Sequence, residues 1–281
     1  MSSPTIRRSL ALLAGGALVV CIVIYGYAQR EPGAGQVPVA PSAEVQQVAP
    51  AVVRSPVEVE RPSEILLSGK NLYSQNQEEL IIRDFFQDKR GGFFLDVGAA
   101  WPIHNSTTYY LEKHLGWWGL AVDALPDYGP AWQEKRPRSK FISYAVTDHS
   151  GDSMTFYRHD WTEVSSLSKK HAARFGGEET LTAIEVQTIT LTDLLDRNAI
   201  TKIDHLTIDI EGAELMALAG FDIRRFKPDL VCIEAHNRGK KGEQEIRQYF
   251  EDNGYAFLEE YAPYEKANWY FAPKAEAVSS H

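Results

Sequence analysis

Residues 93–126, FFLDVGAAWPIHNSTTYYLEKHLGWWGLAVDALP, contain the pattern that decides the fold. Two short apolar runs, Phe93–Val97 and Gly119–Val122, flank a segment of helical period at Ser106–His114. Continuous apolar strands separated by helices indicate a parallel sheet that is covered on both faces. The stretch therefore predicts the β-α-β beginning of a Rossmann-like, doubly wound, mostly parallel α/β sheet.

The same alternation continues along the chain. Further strands are predicted at Phe141–Ala145, Ile203–Ile210, Leu230–Glu234, Ala256–Glu259 and Trp269–Phe271, and further helices at Gln77–Gln87, Leu191–Arg197, Ala213–Ala219 and Glu243–Asp252. The last two strands have no helix between them, which predicts a closing antiparallel hairpin. Met154–Tyr157 and Ile184–Ile189 are expected to form an additional pair. Ligands of doubly wound sheets bind beyond the carboxyl ends of the strands, so the residues there are the candidates for a site.

The first strand ends in Asp96-Val-Gly98, where a glycine lets backbone approach a ligand. Ala99, Ala100 and Trp101 follow, so the fingerprint G-x-G-x-x-G is absent and a pyrophosphate site is disfavoured. An ordinary strand-to-helix turn is the plain alternative for this segment.

The second and third strands end in residues that suit a nucleoside. Asp123 closes the second strand, and a carboxylate there can accept hydrogen bonds from both hydroxyls of a ribose. A solvated turn acid is the alternative for Asp123. Ala145 and Val146 close the third strand and could flank an adenine ring.

The fourth strand is followed by the largest group of candidate functional residues. Asp209 and Glu211 are two residues apart, so on a continuing strand they would share a face and converge on the cleft. They could hold a cation or take a proton from a nucleophile, and alternatively either could cap the helix after Gly212. After the fifth strand, Glu234 and His236 add another acid and a possible base.

The charge distribution excludes some function classes. The chain has 281 residues with 29 Lys+Arg against 38 Asp+Glu, a net charge of −9. The first 64 residues carry five arginines and five acids, so the whole excess falls on residues 65–281. An acidic domain without a basic cluster is a poor nucleic-acid binder, and Arg136-Pro-Arg138 is predicted to be a solvated loop. No metal-ligand spacing such as H-E-x-x-H or C-x-x-C is present in the sequence, so no metal is expected.

The amino-terminal segment predicts a membrane anchor. Ser9 to Ala28 is a 20-residue uncharged run, which as a helix would span about 30 Å of hydrocarbon. A cleaved signal peptide ending at Ala28 is the alternative, but the run exceeds the usual apolar core of such peptides. Residues 1–28 are thus predicted as an anchor, 29–64 as a disordered Pro-rich linker, 65–275 as the folded domain and 276–281 as a disordered tail. Arg7 and Arg8 favour the N-terminus in the cytoplasm and the domain on the other side.

Two blocks of the sequence resemble one protein family. Residues 93–126 and ITLTDLLDRNAITKIDHLTIDIEGAELMALAGFD at 189–222 are similar to the two cofactor blocks of FkbM-type S-adenosylmethionine-dependent methyltransferases. Similarity extends to AVTDHSGDSMTFY at 145–157 and Ser165-Ser-Leu, over about residues 70–272. The resemblance implies a class I methyltransferase-like fold and S-adenosyl-L-methionine as cofactor. It implies that Gly98 and Asp123 contact the cofactor and that Asp209 and Glu211 lie near the methyl. Together with the residues at the strand ends, the predicted catalytic residues are Asp209, Glu211 and His236, and the predicted cofactor-binding residues are Asp96, Gly98, Ala99, Ser106, Asp123, Ala145, Val146 and Asp209.

The resemblance has one departure. The family usually has a G-A-N-D-G-like loop after the first strand, where this chain has Gly98-Ala-Ala-Trp-Pro-Ile-His-Asn105. The leading hypothesis is a membrane-tethered enzyme that methylates an oxygen of a sugar, glycan or other small molecule. The altered loop motivates the alternative of an inactive methyltransferase-fold module for binding or scaffolding. A third hypothesis, a nicotinamide-dependent dehydrogenase, is weakened by the missing glycines. S-adenosylmethionine is cytosolic whereas the arginines favour a translocated domain, so the side of the membrane stays open, as does the oligomeric state.

Overall fold

The computed structural model describes residues 63–235 and 239–275. The strands within those ranges are β1 Phe93–Val97, β2 Trp118–Asp123, β3 Ser139–Ser143, β4 Ala145–Val146, β5 Ser153–His159, β6 Leu181–Ile189, β7 His205–Ile208, β8 Leu230–Glu234, β9 Tyr255–Phe257 and β10 Asn268–Pro273. The α-helices are α1 Glu64–Leu67, α2 Glu78–Phe86, α3 Tyr109–Leu115, α4 Gly129–Lys135, α5 Lys169–Ala172, α6 Leu191–Arg197, α7 Glu214–Ala219, α8 Ile223–Phe226 and α9 Gly239–Asp252.

Seven strands form the main sheet in the order β3-β2-β1-β7-β8-β10-β9. Leu95 of β1 lies in parallel register with Leu120 of β2 and Leu206 of β7. Strand β10 runs antiparallel to both β8 and β9, so the last strand is inserted between its two predecessors. The predicted Rossmann-like sheet and its closing hairpin are confirmed.

A smaller sheet has the order β4-β6-β5. Strands β5 and β6 pair antiparallel, which confirms the predicted additional pair. The single strand predicted at Phe141–Ala145 is wrong, because the chain leaves the main sheet at Tyr144. The Tyr144 N–H donates to the Asp123 carbonyl at 2.9 Å, and Ala145–Val146 then pair with Thr188–Ile189 of β6.

Side-chain alternation along β1 divides the core between the two faces of the sheet. Phe93, Leu95 and Val97 pack on one face with the apolar residues of α6 and α7. Phe94 packs on the other face with α2 and Trp117. Every residue of β1 is buried, which is why its sequence is a continuous apolar run interrupted only by Asp96. The buried strands hold their carboxyl ends at one edge.

Helix α3 begins at Tyr109, three residues later than predicted. Asn105 adopts a left-handed φ of +57°, and the Thr108 hydroxyl donates to Asp96 at 2.6 Å. The segment from Ser106 to Thr108 therefore lines the end of β1 in place of a first helical turn.

The predicted anchor (1–28), the predicted tail (276–281) and His236 lie outside the described residues, as does the predicted linker except Ser63 and Glu64. Helix α1 begins at Glu64. None of the helices in residues 63–235 and 239–275 is both long and apolar enough to cross a membrane.

Candidate functional site

A cleft of about 760 Å³ opens at the carboxyl ends of β1, β7 and β8. A narrower slot adjoins it toward β2 and β4. Gly98, Asp209 and Glu211 line both cavities. The cleft also receives Asp96, Ala99, Ser106 and Glu234, and the slot receives Asp123, Ala145 and Val146. All predicted site residues within the described part of the chain thus meet at this edge.

Gly98 brings the ends of β1 and β7 together. Its φ is +84°, a left-handed value that favours glycine, and a Cβ atom there would lie 1.6 Å from the Asp209 carbonyl oxygen. The Gly98 N–H donates to the Val122 carbonyl at 2.9 Å, and the Asp209 N–H donates to Val97 at 2.9 Å. No residue with a side chain fits this position without moving β7.

The loop at residues 99–105 is fixed by side chains from outside it. Trp132 donates its indole N–H to the Ala100 carbonyl at 2.8 Å, and the Arg136 guanidinium donates to the Pro102 carbonyl at 2.8 Å. Ala100 adopts a φ of +39° between these contacts. The loop therefore keeps a defined shape although its sequence departs from the pattern expected there.

Arg136 is fully buried, so its prediction as part of a solvated loop is wrong. Its Nε donates to Glu112 at 2.6 Å, and another guanidinium nitrogen donates to the Thr108 hydroxyl at 3.1 Å. Its guanidinium carbon lies 4.4 Å from the centre of the Trp132 ring. The i,i+4 spacing of Trp132 and Arg136 on and after α4 was the available sequence signal. Burial lowers the pKa of Arg136, and Glu112 opposes that effect.

Asp96 lies beneath the cleft. It is buried and accepts the Thr108 hydroxyl at 2.6 Å. Burial raises its pKa, while that hydrogen bond and the positive charge of Arg136 lower it. Asp96 thus connects β1 with Arg136 through Thr108, and its contacts are with the protein framework.

Asp123 lies in the slot at the end of β2. One carboxylate oxygen accepts the Leu125 N–H at 2.9 Å and the other accepts the Ala100 N–H at 3.1 Å. Enclosure by the protein raises its pKa to about 6, with a further contribution from the charge of Asp96, against the two backbone hydrogen bonds. Each oxygen has a second lone pair, so the group can accept two more hydrogen bonds from a vicinal diol.

Three carboxylates meet after β7 and β8. Oxygens of Asp209, Glu214 and Glu234 lie within 4.8 Å of one another. Enclosure, then the charges of Glu234 and Glu211, raise the pKa of the Asp209 carboxyl well above its usual range. Asp209 still opens onto the cleft, so a cation placed there would offset the repulsion. This spacing suits a cation in general and does not distinguish a metal ion from an organic cation.

Asp209 and Glu211 converge for a different reason from the one predicted. Strand β7 ends at Ile208, and Glu211 adopts a left-handed φ of +51°. Buried Glu214 holds this turn by accepting the Ile210 N–H at 2.9 Å and the Gly212 N–H at 3.4 Å. The two acids therefore reach the cleft through a tight turn, and the alternation of a strand does not apply.

His171 enters the site from the connection between β5 and β6 (residues 160–180), a contact that sequence reasoning missed. Its Nε2 lies 2.7 Å from a carboxylate oxygen of Glu211. The Ser168 hydroxyl caps α5 by accepting the His171 N–H at 3.2 Å. The Ser166 hydroxyl donates to the Glu211 carbonyl at 2.6 Å and joins this connection to the turn. In the sequence, only the family-like Ser165-Ser-Leu stretch indicated that this connection belongs to the site.

The arrangement suits one kind of ligand. The slot combines a diol acceptor, Asp123, with the apolar surfaces of Val146 and Phe156. The cleft beside it is acidic at its inner end, where Asp209, Glu211 and Glu234 lie. A nucleoside with a positive charge fits these surfaces, with its ribose and base in the slot and its charge at the acidic end of the cleft. A nucleophile in the cleft would have carboxylates and an imidazole nearby.

Comparison with known proteins gives one family. The Methyltransferase FkbM domain matches residues 96–257, more than half of the chain. No curated protein matches the chain.

Several solved methyltransferases are similar in structure. A TehB-like SAM-dependent methyltransferase from Corynebacterium glutamicum is 15% identical, with 75% of this chain and 92% of that chain covered and a TM-score of 0.40. The O-methyltransferase from Bacillus cereus in complex with SAH is 11% identical, with 76% and 92% covered and a TM-score of 0.38. The family assignment rests on the domain match, which confirms the resemblance found in the sequence: this chain belongs to the FkbM family of methyltransferases.

Proposed function

We propose that the slot and cleft bind S-adenosyl-L-methionine, and that the protein transfers a methyl group to an oxygen of a sugar, glycan or other small molecule. The observation that carries the cofactor assignment is the meeting of Gly98, Asp123 and Asp209 at one edge of the sheet. S-adenosylmethionine is a nucleoside with a sulfonium, and each of these residues suits one part of it.

The residues fit the cofactor by their shape and their charge. Gly98 lets the Asp209 backbone lie directly against the end of β1, and it lines both the slot and the cleft, so a ligand there meets backbone and no side chain at this position. Asp123 retains acceptor capacity for two ribose hydroxyls, and Val146 and Phe156 offer apolar surface to a base. The acids around Asp209 repel one another, so a sulfonium between them would relieve that repulsion.

The bound cofactor would supply a methyl group on a positively charged sulfur, which is displaced as a neutral thioether. The protein's tasks are then to orient the acceptor and to remove its proton. Asp209 and Glu211 lie where the cleft and the slot meet, so they are placed to act on an acceptor that approaches from the cleft. Gln75, Asn76 and Asn268 form a polar wall of the cleft. Their side-chain amides offer hydrogen-bond donors and acceptors to a methyl-accepting substrate with several hydroxyls.

Calorimetry on the purified full chain tests the cofactor assignment. S-adenosylmethionine and S-adenosylhomocysteine should both bind with one site per chain, and NAD should not bind. Circular dichroism on the same sample verifies that the chain is folded. A folded chain that binds neither sulfur nucleoside would overturn the proposal in favour of an inactive module, and binding of NAD alone would indicate a dehydrogenase.

The acceptor chemistry is tested on the product. The full chain is incubated with S-adenosylmethionine carrying an isotope-labelled methyl group and with an extract of cells that lack the protein. The chemical shift of the labelled carbon in the purified product distinguishes a methyl on oxygen from one on nitrogen or sulfur. We expect a methyl ether that survives alkali, whereas alkaline release of methanol would indicate a carboxyl acceptor.

We also propose that residues 1–28 anchor the protein in a membrane, supported by the uncharged run from Ser9 to Ala28. The protein should then remain in the membrane fraction after alkaline carbonate extraction, and a mature chain that begins after Ala28 would show a cleaved signal peptide. Arg7 and Arg8 favour a translocated domain, and the cytosolic origin of the cofactor favours the opposite side. Protease digestion of intact vesicles of known orientation separates the two topologies.

A further inference from the structure

The connection between β5 and β6 contributes a histidine and a rim of aromatic side chains to the cleft. Trp161, His171 and Phe175 line it, and the two aromatic rings meet edge to face at 5.9 Å. The imidazole of His171 lies 6.2 Å from the Phe175 ring. His171 therefore stands between an apolar rim, which can hold an acceptor, and the acidic inner end of the cleft.

The position of His171 is fixed by contacts on both sides of the ring. Nε2 lies 2.7 Å from Glu211, and the side chains of both residues are mostly shielded, with 15% and 20% of their surfaces exposed. Nδ1 lies beside Gly212, where a Cβ atom would approach it to 3.2 Å. Gly212 adopts a φ of +110°, so the position requires a glycine for its backbone as well as for the ring. Ser168 and Ser166 hold the helix and the turn that carry the two groups.

The other histidines in the described ranges lack this combination. His205 is buried in the core and His159 is buried with its Nδ1 accepting the Trp161 N–H at 2.8 Å. His149 pairs with Asp148 at 2.6 Å, but in an exposed turn outside the cleft. His104 lines the cleft without a carboxylate contact, and His114, which lies on α3, forms a hydrogen bond with the Tyr73 hydroxyl. Only His171, within residues 63–235 and 239–275, both lines the cleft and bonds to a carboxylate.

We propose that His171 is the general base of the methyl transfer and that Glu211 is its positioning residue, an inference that rests on the proposed function. Glu211 accepts the Nε2–H, which leaves the Nδ1 lone pair to take the proton of the acceptor hydroxyl. The acceptor oxygen forms the bond to the methyl carbon as the carbon–sulfur bond breaks and its electron pair goes to sulfur. The positive charge of the sulfonium is thereby replaced by that of the imidazolium, which releases its proton to solvent.

The charged groups around the ring are consistent with this role. Glu211 bonds to it directly, and Asp209, Glu163 and Arg174 line the same cleft. Lys169 and Lys170 lie on the same helix, and Lys169 is directed to Glu178 at 2.5 Å. The negative charge of Glu211 lies against the ring, where it stabilises an imidazolium once it forms.

The first experiment measures the accessibility of Nδ1 without any reaction of the cofactor. Diethyl pyrocarbonate modifies neutral imidazoles, and mass spectrometry of the full chain gives the rate at each histidine. His149, which is 54% exposed, is the reactive reference, and His205, which is fully buried, is the unreactive one. We expect His171, whose side chain is 15% exposed, to be modified more slowly than His149 and measurably faster than His205. A His171 as inert as His205 would overturn the assignment.

The second experiment measures methyl transfer to an extract of cells that lack the protein, with labelled S-adenosylmethionine. His171→Gln should slow transfer about 100-fold, a typical contribution of a general base. Its affinity for S-adenosylhomocysteine, measured by calorimetry, should stay within about twofold of the wild type. His149→Gln is the matched control, because it removes a histidine–carboxylate pair outside the cleft, and it should leave the rate unchanged.

Glu211→Gln tests the positioning role by a readout that packing alone would not move. The amide can still accept the Nε2–H but lacks the charge that stabilises the imidazolium in the transition state, so kcat should fall while the KM for S-adenosylmethionine stays within about twofold of the wild type. Transfer by the wild type that persists in His171→Gln would overturn this inference and leave the proposed function standing. A wild type that binds S-adenosylhomocysteine but labels nothing in the extract would overturn the proposed function and the inference together.

Discussion

The loop after β1 (residues 98–105) and the turn after β7 (residues 209–214) lie side by side at the same edge of the sheet, and they are held in opposite ways. The loop is fixed from outside, by Trp132 and Arg136 bonding to its carbonyls. The turn is fixed largely by its own Glu214, which accepts two of its N–H groups. A loop that depends on outside contacts can change its sequence and keep its shape, whereas a turn that is held by its own Glu214 needs that residue.

The difference extends to chemistry. The acid at the end of β1, Asp96, is buried at the floor of the cleft and bonded to Thr108, whereas Asp209 and Glu211 of the turn are more open to the cleft. The loop therefore provides shape and the turn provides reactive groups. This division explains how a chain can depart from its family in the loop and still keep a site after β7.

Gly98→Ala should break the contact between the two regions and have the largest effect. The new Cβ atom would overlap the Asp209 carbonyl oxygen at 1.6 Å, with backbone on both sides of the collision. We expect a loss of about 5 kcal/mol or more in the free energy of unfolding, or no folded protein. Denaturation of the full chain by urea, followed by tryptophan fluorescence, measures it.

Gly151→Ala is the matched control for Gly98→Ala. Gly151 also has a positive φ, +91°, but nothing lies within 4 Å of its added Cβ atom. It should cost only the strain of a left-handed alanine, about 1 kcal/mol. Equal losses of unfolding free energy in the two variants would show that backbone strain accounts for the effect of Gly98→Ala and that the collision with Asp209 does not.

Arg136→Met should weaken the loop while leaving the turn intact. Glu112 would keep the Arg138 N–H and the Ser139 hydroxyl as donors but would remain buried without a positive charge beside it, and Pro102 would lose its donor. We therefore expect a loss of about 3 kcal/mol in unfolding free energy. Affinity for S-adenosylhomocysteine should also fall, because Ala100 and Ala99 line the site. Urea denaturation and calorimetry measure the two effects.

Two variants sharpen the Arg136 prediction. Arg225→Met removes an arginine from the exposed pair with Asp196 and should leave the unfolding midpoint essentially unchanged. Adding Glu112→Leu to Arg136→Met should recover part of the stability, because the unpaired charge is then gone. If no stability is recovered, the lost contacts to the loop cause the destabilisation, and the unpaired charge of Glu112 does not.

The sequence predicted what is local. Helix α6 has the predicted bounds, Leu191–Arg197, because an apolar period and the Thr190 cap lie within the segment itself. The strands of the sheet follow from continuous apolar runs for the same reason. The meeting of Asp209 and Glu211 was also predicted, although the left-handed turn at Glu211 that produces it has no local signal apart from Gly212.

Long-range pairs account for what the sequence did not reveal. Arg136 is 24 residues from Glu112, and His171 is 40 residues from Glu211. The periodicity of the sequence carries no information about such pairs, and Arg136 was assigned to a solvated loop as one of a few scattered basic residues in an acidic domain. The histidine chosen from sequence, His236, lies outside the described residues, so its role stays a prediction.

His205, at the opposite end of β7 from the turn, should make stability depend on pH. Burial lowers its pKa to about 3. The unfolded chain, with a pKa of about 6.5, therefore binds an extra proton between those values, so the free energy of unfolding falls as the pH drops through this window. We expect His205 to contribute a loss of about 2 kcal/mol between pH 7 and pH 5, measured as the difference from His205→Gln.

The subtraction is needed because the carboxylates of the site act in the other direction. The pKa values of Asp123 and Asp209 are raised, so the folded state takes up their protons first and gains stability as the pH falls. The difference between wild type and His205→Gln cancels these contributions. A difference that does not change between pH 7 and pH 5 would show that His205 is solvated.

Asp123→Asn connects the loop with the ligand and should have the smallest effect. Asp123 accepts the Ala100 N–H, and we assign its remaining lone pairs to the ribose. An amide has one oxygen in place of two, so we expect about a tenfold loss of affinity for S-adenosylhomocysteine, equivalent to about 1.4 kcal/mol. The empty protein should lose some stability, because the amide nitrogen would face the N–H of Ala100 or of Leu125, which the carboxylate now accepts.

Asp127→Asn is the control for Asp123→Asn, since Asp127 pairs with Arg158 at 2.7 Å on the exposed surface and lines neither the slot nor the cleft. Calorimetry should find its affinity unchanged. With an S-adenosylhomocysteine analogue that lacks the ribose hydroxyls, the wild type and Asp123→Asn should bind equally, because the lost hydrogen bonds are those to the ribose. An equal loss of affinity for both ligands would mean that Asp123 acts by holding Ala100, and the loop, rather than the ribose, would then explain the loss.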